Sequence, residues 1–109
     1  MEHNQIVNKL ERRLRVKLGC ITTSNEEYRN KGENGEIDLY GFDFKNQRLY
    51  AIEIKRTNSP KNSTKAFHQL DKDEKYLRRL FFDFEPFSLL RFYAYSSKDK
   101  KIGYEVVRF

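Results

Sequence analysis

Ile6, Val7, Leu10, Leu14 and Leu18 recur at helical spacing and Gly19 follows as a stop. This predicts an amphipathic helix over residues 3–18, with Lys9, Arg12, Arg13 and Arg15 on its far side. A short strand is expected at 20–24. The polar, glycine-containing stretch NEEYRNKGENG, 25–35, then reads as a loop. Residues 36–44 and 49–55 are rich in aromatic and β-branched side chains on either side of KNQR, the pattern of a β-hairpin. TNSPKNST interrupts it. A second helix is expected over 63–82, with Ser63 or Thr64 as N-cap and Ala66, Phe67, Leu70, Leu77, Leu80 and Phe81 on one stripe. Pro86 terminates it, and two further strands, 88–95 and 102–109, flank the polar turn SKDKK. The order α-(β)-β-β-α-β-β implies a mixed central sheet flanked by helices, an α/β or α+β sandwich.

The 109 residues are expected to form one domain, 1–109, around one core. The single cysteine, Cys20, excludes an intramolecular disulfide, and neither a signal peptide nor an apolar run near the ~20 residues of a membrane span is evident. A soluble cytoplasmic protein with no membrane partner is the expectation. Twenty-two Lys+Arg against 16 Asp+Glu give a net charge of +6, so the summed field attracts polyanions and favours DNA as partner. A charged fraction of 35% also suits an ordinary solvated surface.

The charges inside the hairpin sharpen this picture. Along 49–55, Leu49, Ala51, Glu53 and Lys55 share one face and Tyr50, Ile52 and Ile54 the other. Both faces are largely apolar, as in a central strand, where an unpaired charge costs several kcal/mol. A turn centred near Asn46 sets Asp38 opposite residue 53, 54 or 55, and two of these registers put Asp38, Glu53 and Lys55 on one face. Two carboxylates that close repel unless a cation separates them. Mg²⁺, with Mn²⁺ as substitute, suits such a pair, and the Ile54 carbonyl could complete the protein's share. Lys55 could orient the attacking water and offset charge on a phosphoryl group. The bland alternative is a strand end reaching solvent with Asp38 as salt-bridge partner.

G-E-I-D opening one strand and E-I-K on the next, between two helices, resembles the PD-(D/E)XK nuclease superfamily, especially its small single-domain members such as archaeal Holliday-junction resolvases. The resemblance covers about residues 6–80, and Ile37 stands where the family often has proline. It implies a restriction-endonuclease-like core, with Asp38 and Glu53 as metal-binding acids and Lys55 as catalytic lysine. The implied activity is that of a Mg²⁺-dependent DNA endonuclease, with selectivity for junction or branched DNA as one form it could take. A catalytically inactive nucleic-acid binder and a protein-interaction module stay as alternatives.

Such nucleases often add a carboxylate from the first helix, where Glu11 lies at the edge of the buried stripe; Glu26 and Glu27 are its rivals. Gln69, one turn from Asp73 on the second helix, is a further site candidate. Arg56, Lys61 and Lys65 surround the start of that helix, whose free N–H groups suit phosphate. Neither His3 nor His68 has a second histidine at ligand spacing, so zinc is not expected. The stretch FFDFEPFSLL crowds Phe81, Phe82, Phe84, Phe87, Leu89 and Leu90 into ten residues, more than a small core absorbs. It points to a homodimer.

Overall fold

Residues 1–108 are described in the computed structural model. Helix α1, His3–Leu18, buries Ile6, Val7, Leu10 and Leu14 and ends at Gly19 in the left-handed region, φ 66°, as the hydrophobic spacing requires. The strands are β1 (Ile21–Asn30), β2 (Glu33–Asp43), β3 (Arg48–Lys55), β4 (Ser88–Ser96) and β5 (Ile102–Val107), and helix α2 (Pro60–Leu80) joins β3 to β4. They form one mixed five-stranded sheet in the order β1-β2-β3-β4-β5. Only β3 and β4 run parallel, which their helical crossover permits; the other neighbours are antiparallel. The result is an α+β fold with one helix on each face. Among the described residues no helix is long and apolar enough to cross a membrane.

Two clusters make the core. On one face α1 packs on Leu39, Tyr50, Ile52, Ile54 and Ala94. On the other, Ala66, Leu70 and Leu77 of α2 pack with Phe42, Leu49, Ala51 and Tyr93. The split follows the alternation expected for β3.

Three expectations change. The segment 25–35 is no loop: β1 runs to Asn30 and β2 begins at Glu33, paired from Ile21↔Phe42 to Asn30↔Glu33 around a tight turn at Lys31 and Gly32. Its polar residues are tolerated because β1 is an edge strand with one row of free backbone groups. Helix α2 starts earlier than residue 63, at Pro60, because Ser59 caps it by accepting from the Asn62 N–H and proline suits the first helical position. It also stops at Leu80, so Phe81 is its C-cap and Phe82–Phe84 form a separate 3₁₀ turn. Of the strand expected at 102–109, β5 takes Ile102–Val107, and Phe109 lies outside the described residues.

The β1–β2 ribbon carries one irregularity. Asn25 has φ 52°, and the β1–β2 ladder skips from Ser24↔Leu39 to Glu26↔Ile37. Below the gap, Thr22 meets Glu11 and Arg15 of α1; above it, Glu26 and Tyr28 meet Tyr76 and Asp73 of α2. In β2, likewise, Leu39 belongs to the α1 cluster and Ile37 to the α2 cluster. Residues two apart should share a face, so both strands rotate at Asn25 and Asp38.

Candidate metal and phosphate site

Glu53 and Lys55 sit together on the α2 face of β3, Lys55 Nζ lying 3.7 Å from Glu53 Oε1. Glu53 is 5% exposed and its Oε2 meets no donor. Asp38 approaches from β2, where the ladder with β3 ends at Leu39↔Ile52. Its Oδ2 accepts the Ile54 N–H at 2.8 Å, taking the place a strand carbonyl would have. The N–H and C=O of one strand residue project toward the same neighbour, so the Ile54 carbonyl is directed toward β2 as well. Asp38 therefore turns toward the Ile54 amide instead of standing upright on the α2 face, while its carboxyl stays in hydrogen-bond contact with that of Glu53. The rotation of β2 turns it sideways at the mouth of the hairpin, where His3 Nε2 from the first turn of α1 lies 3.5 Å from Oδ2.

Asp73 joins from α2 and is wholly buried. Its Oδ1 accepts from Tyr28 Oη and Gln69 Nε2, both at 2.8 Å, while Oδ2 meets no donor. Burial pushes its carboxyl up to about 7 despite these two donors, with Asp38 adding to the rise. Glu53 is pushed far above the carboxylate range by burial first, then by Asp38 and Asp73, and Lys55 only partly offsets this. Two nearly water-free carboxylates thus face a shortage of positive charge. A cation between Asp38 and Glu53 would relieve it and meet the free Oε2. Mg²⁺ commonly uses one or two carboxylates and keeps its remaining waters, so the donor set fits. Among the described residues no group of three or more His, Cys, Asp and Glu is arranged to hold a metal.

The other expected residues divide. Glu11 is tied to Thr22 Oγ1 at 2.9 Å and Arg15 at 3.1 Å, and it lies two helical turns beyond His3, the α1 residue that reaches Asp38; it is not part of this site. Glu26 accepts from Tyr40 and Tyr76, and Glu27 is exposed near the far hairpin. Gln69 is half-buried, its amide shared between Asp73 and the Glu36 carbonyl, so it braces α2 against β2 rather than facing solvent. Lys61 and Lys65 are exposed on the first turns of α2. Arg56 is exposed and bonded to Glu2 at 3.1 Å.

Sequence reasoning missed Asp73, Tyr28 and His3 as members of the site. Asp73 had a signal, since Ala66, Leu70, Asp73 and Leu77 fall at buried helical spacing and Asp73 is the polar one. Tyr28 lay in a stretch without strand pattern, and nothing local links His3 to Asp38.

In comparisons with protein-family models, curated proteins and solved structures, the chain matches none.

Proposed function

We propose that the protein is a Mg²⁺-dependent DNA endonuclease of the PD-(D/E)XK kind, with a restriction-endonuclease-like core. The observation that carries this reading is Glu53, buried with an undonated oxygen between the Asp38 carboxylate and the Lys55 ammonium. Asp38, Glu53 and the Ile54 carbonyl would hold Mg²⁺ or Mn²⁺, which supplies a polarised phosphoryl oxygen and a more acidic water. Lys55 orients the attacking water and offsets the negative charge that grows on the phosphoryl group as the leaving oxygen departs. Asp73 adds negative potential behind Glu53 without touching the substrate. Arg56, Lys61 and Lys65 take the flanking phosphates, and the net charge of +6 draws DNA in.

Labelled junction, flap, duplex and single-stranded DNAs incubated with the purified protein test this directly. Cleavage in Mg²⁺ or Mn²⁺ and none in excess chelator is the expected result; no cleavage of any substrate sinks the enzyme. A second reading, a catalytically silent DNA binder of the same fold, is favoured by one observation. The first helix sends no carboxylate to the site, because Glu11 is engaged by Thr22 and Arg15.

A further inference from the structure

A cavity of about 600 Å³ opens at the C-terminal ends of β3 and β4, lined by Arg56, Asn58, Tyr95, Ser97, Lys98 and Lys100 among others. That volume is in the range of small-ligand sites. Three cationic side chains line it, Arg56, Lys98 and Lys100, with Glu2 paired to Arg56 and Asp99 held by Ser97 at its rim. Its position relative to the acidic site is fixed by the parallel register, which pairs Glu53 with Tyr93 and Lys55 with Tyr95. Odd-numbered residues of both strands share the α2 face, so Tyr95 is the lateral neighbour of Lys55, about 4.8 Å away strand to strand. The ring is only half-buried and leans on Tyr93 with centroids 5.1 Å apart. On its other flank is Gly103, its partner in β5, where any Cβ would collide with the ring. The fold thus keeps a half-buried aromatic ring, tilted over β5, in a basic recess one strand from Lys55.

We infer that this recess binds an unpaired nucleotide of the DNA strand, its base stacked on Tyr95 and its phosphates on Lys98, Lys100 and Arg56. A base within a continuous duplex cannot reach such a ring without leaving its stack. The preferred substrate therefore has single-stranded character beside the phosphate held at Lys55. The inference rests on the proposed nuclease site for the position of the scissile phosphate, whereas the recess can be tested without any cleavage.

The test measures fluorescence anisotropy in chelator, using a labelled single-stranded oligodeoxynucleotide, a flap and a blunt duplex. Tyr95→Leu, which keeps the bulk, is expected to weaken single-strand and flap binding about tenfold and leave duplex binding unchanged, since one stacked base is worth ~1–3 kcal/mol. Tyr95→Phe should bind like the wild type. Lys98→Ser combined with Lys100→Asn changes exposed residues only, so it stays informative should Tyr95→Leu fail to fold. Two lost phosphate contacts should reduce the single-strand salt slope by about 1.4. Equal losses on all three DNAs, or an unchanged salt slope in the lysine variant, overturn the inference. Cleavage in Mg²⁺ is read separately. A wild type that cuts nothing yet shows the Tyr95-dependent preference refutes the nuclease and supports the recess; one that cuts without that preference does the reverse.

Discussion

The Asp38 carboxylate accepts the Ile54 N–H at 2.8 Å where the β2–β3 ladder stops, so a side chain completes what backbone pairing leaves open. The bond holds Asp38 at the strand carrying Glu53 and Lys55, in hydrogen-bond contact with the Glu53 carboxyl. Asp38→Asn retains an oxygen for Ile54 and loses the charge. We expect Asp38→Asn and Glu53→Gln each to lower cleavage by ~10²-fold or more while DNA binding holds or improves, because negative charge near the backbone is removed. Gel-based cleavage and anisotropy on the same preparations check it, and wild-type turnover in either variant sinks the assignment.

Lys55→Ala should lower the rate more than the affinity. Its side chain is 28% exposed and its ammonium is paired with Glu53, so it contributes little to the surface that binds DNA. Single-turnover rates against Kd separate the two effects; equal losses would mean that Lys55 is a phosphate anchor only.

Stability should fall as pH rises. Both Asp73 and Glu53 have folded pKa values above those of the unfolded chain, so between the usual carboxylate range and the raised values the folded state holds more protons. Their contribution is complete below about pH 4, is lost for Asp73 as pH passes about 7, and for Glu53 is lost further up. Glu53→Gln should flatten the decline in Tm between pH 6 and 9 (~4–8 °C per kcal/mol recovered). Mg²⁺ at ten times its Kd should add ~1.4 kcal/mol to the wild type and much less to Glu53→Gln. A wild-type Tm indifferent to both pH and Mg²⁺ would contradict the buried-charge account.

Gly35 faces Tyr28 across β1–β2, and a Cβ there would collide with the phenol ring. Gly35→Ala should displace Tyr28 from Asp73 and from its stack on Tyr76, costing ~1–3 kcal/mol. Denaturant melts measure it; a change under ~0.5 kcal/mol, the usual range of surface substitutions, would show that the ring has room to move.

The proposed homodimer is tested at the aromatic turn. Phe82 is 71% exposed and Phe84, Phe44 and Leu80 are 43–46% exposed, whereas Phe81 and Phe87 close over Phe42. Phe82→Asp should therefore split a dimer and leave the fold intact; Phe87→Asp should unfold the chain instead, since its ring packs on the core. Light scattering at micromolar concentration reads the outcome, and a mass of one 13.2 kDa chain in the wild type removes the dimer.

The amphipathic spacing of α1, the alternation of 49–55 and the buried stripe of α2 are local patterns, and they fixed both helices, the central hairpin and the pairing of Glu53 with Lys55 on one face. Turn length alone brought Asp38 near Glu53. The sequence could not place what depends on rotation and long-range pairing. The tight turn at Lys31 and Gly32 pairs β1 with β2 and makes an expected loop a strand, and the rotation at Asn25 and Asp38 turns Asp38 from an upright ligand into a sideways one. Asp73 reads as one polar residue on a helix until packing removes water from it and makes its charge felt at Glu53. Tyr95 becomes a neighbour of Lys55 only because the α2 crossover sets β4 parallel to β3 in one register, a relation between residues forty apart that no local pattern carries.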